Sequence, residues 1–472
     1  MLSHLALLAA LAAVATAKIS SSVLRAPEGT AVVVEFHGNA LALAEADTGL
    51  RSLHDRSSRI AHLDSILALH AAKAQADAVA LLTGFSFESN HVGNVLFVEH
   101  APLAVLEQVA ALPHVSAIRL PEVAHLPVLD HTTIDAAINA TLAANEWGID
   151  IIGASSVWAA GNRGEGVVVS NIDTGVRGTH EALKGNFRAD YGWFDPEKKS
   201  KSPNDGNGHG THTLGSIAGA NGIGVAPGAQ WIACRGCTTS SCPEKTLTAC
   251  AQWILCPTDT QGNNKKCDKA PHVVSNSWGG NKAGNAWYQS YVDAWQKAGI
   301  IPVFANGNAG PKCATVGSPG DYKNVIGVGA TGSDDKLASF SSKGPTPDAR
   351  IKPDVSAPGY KVRSAWNTGD ANYNTISGTS MATPHVTGAV ALILSANKGA
   401  SYDTVYNLLT TTVDTASLTV DNNDCGGVSD SSYPNNNYGF GRINVFKAVN
   451  GGTNPTDPPT DVPTDEPTDE EP

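Results

Sequence analysis

Apolar and polar positions along this chain follow two regimes. Before about residue 126 they come in short blocks. Residues 31–36 read as a strand, and residues 60–82 carry helical apolar spacing that ends before Gly84. Residues 85–89 and 95–99 read as two more strands, residues 103–112 as a second helix and residues 115–120 as a last strand. The order β-α-β-β-α-β is the split βαβ, ferredoxin-like arrangement of a small α+β unit. From about residue 147 to 450 the pattern changes to unbroken apolar runs: 167–172, 231–234, 272–277, 301–305 and 325–330. Helical stretches such as 286–298 alternate with them. Runs of this kind predict strands buried on both faces, hence an α/β fold with a doubly wound, mostly parallel sheet. In such a sheet the site lies at the carboxyl ends of the strands.

One run stands apart. Residues 386–394 are Ala, Val, Leu and Ile except for Thr387 and Gly388, which predicts a helix buried on nearly all sides. It follows Ser377-Gly378-Thr379-Ser380-Met381-Ala382-Thr383-Pro384-His385. Pro384 is expected in the first turn, where a missing N–H costs nothing. Ser380 then lies at the positive end of a buried helix, where unpaired N–H groups can meet developing negative charge.

The flanks change the picture of where the protein works. Residues 1–17 form an apolar run ending Ala15-Thr16-Ala17, the pattern of a secretory signal peptide cut before Lys18. The run is short for a membrane span and nothing comparable follows, so the protein is expected to be extracellular and not bound to a membrane. Residues 127–146 read as a linker containing the sequon Asn139-Ala140-Thr141. Residues 451–472 repeat Pro-Thr-Asp without a large apolar side chain and are expected to be a disordered acidic tail. Formal charge is −12, and seven acids fall in the last sixteen residues, so the folded part is only mildly acidic and nucleic-acid binding is not indicated. Eight cysteines fit an oxidising compartment, with the pairing open. A zinc reading of Cys234-x-x-Cys237 is the weaker alternative.

Three motifs carry chemistry. The run 167–172 ends in Asp173-Thr174-Gly175, an acid held at the tip of a buried strand. Alone it could cap a turn, or be one of the two carboxylates that an aspartic protease needs to share a proton. Asn207-Gly208-His209-Gly210-Thr211-His212 offers a base: glycines on both sides of His209 should leave its ring open to accept a proton from Ser380. The His209 and His212 pair lacks the Glu and third ligand of a metalloprotease, so no metal is assigned. Asp173, His209 and Ser380 occur in the order Asp…His…Ser that marks the subtilisin arrangement.

With Gly224-Val225-Ala226-Pro227-Gly228-Ala229 and Ser277-Trp278-Gly279-Gly280, these motifs make the chain between about residues 147 and 450 resemble the subtilases, within them the bacillopeptidase-F-like extracellular branch. The resemblance implies a subtilisin-like serine endopeptidase with an acyl-enzyme intermediate, preceded at residues 18–126 by an inhibitory prosegment that it cuts from itself. Ser380 would be the nucleophile, His209 the base and Asp173 the orienting acid. It implies an oxyanion-hole donor in Phe304-Ala305-Asn306-Gly307-Asn308-Ala309-Gly310, where the family's Gly-Asn-x-Gly pattern selects Asn308 and leaves Asn306 as a turn residue. Ser277, Trp278, Gly279 and Gly280 would present an edge to an extended peptide, and Gly317 would sit at the base of the primary pocket. Ordinary packing competes with a contact role for Trp278. Neither segment holds an acid, so large uncharged side chains are expected to be preferred. No cofactor is required for catalysis. The loop carrying calcium in many relatives is shortened at residues 220–223, and structural calcium elsewhere stays open without named ligands. The partners implied are protein or peptide substrates and the prosegment, with a monomeric enzyme. Two other readings compete: a catalytically silent peptide-binding relative, and a protease inhibitor whose working part is residues 18–126.

Overall fold

The computed structural model describes residues 17–38, 40–126, 145–239 and 241–451, with the backbone of residues 130–135. Residues 1–16 of the signal peptide, Asn139 and the tail beyond residue 451 lie outside the described residues.

The first block forms four strands, β1 (Val32–Phe36), β2 (Ser86–Asn90), β3 (Val95–Glu99) and β4 (Val115–Arg119). They make one antiparallel sheet in the order β2-β3-β1-β4. Helices Arg56–Leu81 and Leu103–Ala110 cover one face through Ala74, Ala78, Leu106 and Val109, packed on Val34, Leu96 and Val98. The long helix begins before the apolar spacing does, because Asp55 caps it by accepting the Ser58 N–H. Two short strands follow: β5 (Val123–His125) and β6 (Asp130–Asp135).

The second block supplies β7 (Val168–Asp173), β8 (Trp193–Phe194), β9 (Gln230–Arg235), β10 (Ser241–Pro243), β11 (Val273–Asn276), β12 (Ile301–Ala305), β13 (Ile326–Thr331), β14 (Val355–Pro358), β15 (Val362–Ala365) and β16 (Tyr373–Ser377). Seven form a parallel sheet in the order β14-β13-β12-β11-β7-β9-β8, as the buried runs predict. The apolar pattern does not reveal β8, which is two residues long, or β14, which reads Val-Ser-Ala-Pro. The linker is not featureless: the backbone of β6 pairs antiparallel with β16, which pairs in turn with β15.

Helix Thr379–Ala396 lies at the centre, and every residue from Thr379 to Leu394 is buried. It packs between the sheet and helix His209–Ala218, which is itself buried throughout. Pro384 is the sixth residue of the helix, not part of its first turn. Its missing N–H would have met the Ser380 carbonyl. That carbonyl instead accepts the Ser277 hydroxyl at 3.0 Å, so the proline defect becomes a tether to a neighbouring loop.

All eight cysteines pair, as Cys234–Cys250, Cys237–Cys242, Cys256–Cys267 and Cys313–Cys425. Cys234 and Cys237 therefore offer no thiolate to zinc. The last bridge spans 112 residues and ties the loop after Asn308 to the C-terminal part of the fold.

Candidate active site

Asp173 ends β7 and is buried. Its Oδ1 accepts the Thr174 N–H and lies 2.7 Å from His209 Nδ1. A carboxylate oxygen only accepts, so the imidazole proton is held on Nδ1 and the Nε2 lone pair is free. Asp205, which lies in none of the three motifs, holds the loop between these residues. One of its oxygens accepts Thr174 Oγ1 and the N–H groups of Asn207 and Gly208, and the other accepts Thr211 N and Oγ1, all within 3.0 Å. The signal that could have found it is an Asp two residues ahead of Asn207, where a carboxylate can collect the N–H groups of a turn.

The glycines around His209 do not expose it. The ring is fully buried, and its Nε2 makes no hydrogen bond among the described residues. They serve close approach instead. A Cβ at Gly210 would lie 2.1 Å from the Gly175 carbonyl oxygen, and one at Gly208 would lie 2.6 Å from the Trp366 ring.

Ser380 is the second residue of its helix and is buried. Its N–H therefore has no intrahelical acceptor. Its hydroxyl donates to the Ser277 carbonyl at 3.1 Å, so the hydroxyl–imidazole hydrogen bond expected from the motifs is not formed here. Catalytic hydrogen bonds of this type often form only once substrate is bound, and the lone pair on Nε2 stays available for one.

Asn308 Oδ1 accepts both the N–H and the hydroxyl of Thr379, at 2.9 and 2.7 Å. That fixes which end of the amide is the donor. Its Nδ2 is buried without a partner among the described residues, 3.1 Å from where a Cβ on Gly378 would sit. An unused donor is thus locked beside the residues that lead into Ser380. Asn306 differs: it is fully buried, and its Nδ2 donates to the Ser342 carbonyl at 2.7 Å, which bridges two loops.

Beside these groups runs a groove with two edges. One is Ser277-Trp278-Gly279-Gly280, where Gly279 exchanges both backbone hydrogen bonds with His125, at 3.0 and 3.2 Å. The other is β10, which pairs antiparallel with β5 and was not apparent from the sequence. The strand Val123–His125 thus lies between them. A cavity of 620 Å³ opens alongside, lined in part by Leu126, Asn207, Gly280, Asn308, Thr315 and Gly317, with no acid in its wall. Gly317 is required there: a Cβ would stand 2.0 Å from the Gly280 carbonyl oxygen. The Trp278 indole belongs to the core, edge-on to Tyr288 and Phe304 at 5.1 and 5.5 Å, so Trp278 offers the groove its backbone.

His212 Nε2 donates to the carbonyls of Val362 and Asn374, at 3.0 and 3.1 Å. Burial lowers its pKa to about 3, and that of His385 to about 4. Among the described residues one group of potential metal ligands converges, Asp64 with Cys256 and Cys267, and its sulfurs are spent on each other.

Residues 164–441 match the subtilase family. The chain is 36% identical over 379 residues to Bacillopeptidase F of Bacillus subtilis (strain 168), a match covering 74% of this chain and a quarter of that protein's length. It is 35% identical over 310 residues to Subtilisin DY of Bacillus licheniformis, covering 64% of this chain and 98% of the relative. A Cuticle-degrading serine protease of Arthrobotrys oligospora is 34% identical over 293 residues, covering 59% of this chain and 66% of the relative.

His212 and His385 are neutral when folded and take up protons when unfolded. Below the ordinary value of 6.5 the unfolded chain binds more protons, so stability falls as pH drops from 6.5 toward 4. The expected loss is about 2–3 kcal/mol per histidine at pH 4.5. Urea midpoints of the Ser380→Ala protein, which cannot digest itself on this reading, should begin to fall near pH 6.5, above the carboxylate range. A midpoint unchanged between pH 7 and 5 would refute the assignment.

Proposed function

Because the chain belongs to the subtilase family, we propose that it is a secreted serine endopeptidase, made as a precursor that inhibits and then processes itself. The observation that carries this reading is the ordered Asp173–His209 pair with its free Nε2 lone pair, together with the unused Nδ2 donor that Asn308 holds beside the residues leading into Ser380. Each unpaired atom suits one step. Rotation of the Ser380 hydroxyl from the Ser277 carbonyl to His209 makes it a nucleophile, and Ser380 Oγ attacks the scissile carbonyl as Nε2 takes its proton. Asp173 holds the tautomer and stabilises the imidazolium. The Asn308 amide and the Ser380 N–H meet the oxyanion. His209 then gives its proton to the leaving amine, and water attacks the acyl-enzyme by the same route. No cofactor enters these steps, and no ligands are assigned to calcium.

The prosegment reading of residues 18–126 is supported by β5, whose backbone fills the groove as a bound peptide would. Secretion is supported by the apolar start of the chain and by the disulfides.

Expression of the wild type beside Ser380→Ala tests the whole reading. The wild type should shorten itself and digest casein, while the variant should stay long and inert. A variant that still matures alone would overturn it. Asn308→Ala should lower kcat by roughly 10²–10³ with little change in KM; this magnitude is the one measured for the equivalent asparagine of a subtilisin. An unaltered kcat would remove Asn308 from the oxyanion hole. The acid-free cavity should favour large uncharged side chains before the cut bond, and cleavage chiefly after Lys or Arg in a peptide mixture would contradict that.

A further inference from the structure

The groove continues past the two edges already described. Glu244 is the first residue of helix Glu244–Leu255 and directly follows β10. It is 1% exposed while residues 18–126 cover it. Its Oε1 accepts Arg119 Nη2 at 2.6 Å. Its Oε2 accepts Arg119 Nη1 at 2.7 Å and the Glu122 backbone N–H at 2.6 Å. The Glu244 N–H donates to the Glu122 carbonyl at 3.0 Å, which carries the β10–β5 ladder one residue further.

An acid in the first turn suits the helix dipole, but the dipole does not account for a carboxylate buried and held in a fork. Among the described residues its only ion-pair partner is Arg119, which also contacts Glu35. The adjacent Lys245 is turned to Glu88 and Glu99. Every group that satisfies the Glu244 carboxylate thus comes from one extended stretch, Arg119 to Glu122, which leaves when residues 18–126 leave. Once that stretch leaves, the carboxylate stands open at the groove, where an arginine on another extended strand can form the same two-pronged hydrogen bond.

We propose that Glu244 is a remote subsite of the peptide groove. It binds an extended peptide by the backbone N–H three residues before the residue paired with Gly279, and by an arginine side chain six residues before it. This inference rests on the reading of the cleft as a peptidase groove. An arginine-bearing strand reaches the site from two sources, the released prosegment or a substrate, and the recognising chemistry is the same.

The test uses the full chain, allowed to mature, with a short peptide substrate as reference. In one arm a synthetic peptide of residues 116–126, with Arg119 or with alanine in its place, competes with the reference substrate. In the other arm a peptide mixture is digested and the cut sites are mapped for wild type and Glu244→Gln. Inhibition about tenfold or more weaker for the alanine peptide supports the subsite, with the prosegment as its occupant. Arginine enriched at one fixed distance before the cut, and lost in Glu244→Gln, supports it with substrate as occupant. Equal inhibition together with no enrichment overturns the inference while leaving the peptidase reading intact. Failure to cut the reference peptide overturns both. The peptide pair is measured on the wild type, so a Glu244→Gln protein that fails to fold does not rescue the idea.

Discussion

The site hangs on a helix with no free face. Thr379 to Leu394 is buried on every side, so its start cannot shift without moving the sheet and helix His209–Ala218 with it. Pro384 then does something ordinary helix interiors cannot. By withholding one N–H it leaves the Ser380 carbonyl to the Ser277 hydroxyl, while the Ser380 hydroxyl answers to the Ser277 carbonyl. Two hydrogen bonds, each worth about 1 kcal/mol net, lock the serine to the edge of the groove at Ser277. Ser380 and that edge are therefore one mechanical unit.

The remaining polar groups divide by whether they are satisfied. Asp205 spends both oxygens on the loop around His209, and Asn306 gives its Nδ2 to the Ser342 carbonyl. Those bonds hold shape. His209 Nε2 and Asn308 Nδ2 have no hydrogen-bond partner among the described residues, and a buried group left so costs about 1–3 kcal/mol. Packing that is otherwise close fixes them in that state, and Asn308 cannot relieve itself by flipping because Thr379 holds its oxygen twice. Such stored cost is expected where a group is reserved for a partner present only during reaction.

Legibility in the sequence followed the same division. Strands β7, β9, β11, β12 and β13 were legible because a strand buried on both faces must be apolar throughout, and the small block because its periods alternate cleanly. β14 was not, since a strand of small residues leaves no hydrophobic signature. The second edge of the groove was hidden because β10 is three residues long and defined only by what pairs with it. The motifs announced Asp173, His209, Ser380 and Asn308, but not their burial. The glycines beside His209 suggested exposure, and the fold uses them for backbone contact. The tie between Pro384 and Ser277 joins residues far apart in the chain, and no local pattern encodes it.

The face between the two blocks also bears on how a self-inhibited precursor could work. Its centre is apolar: Ile60, Leu63, Leu67 and Val92 of the small block are buried in one cluster with Trp253, Tyr291 and Trp295 of the second. Polar pairs add to it: Lys265 meets Asp64, Lys297 meets Glu45, Asn90 donates to the Thr248 carbonyl and Lys245 joins two acids. Most of these pairs are partly exposed, and each adds little when water can replace it. The fork of Arg119 on Glu244 is the exception, being charged and largely buried. Parting the blocks would open that carboxylate to the groove and to water. A strand carrying an arginine at the same spacing would restore the fork.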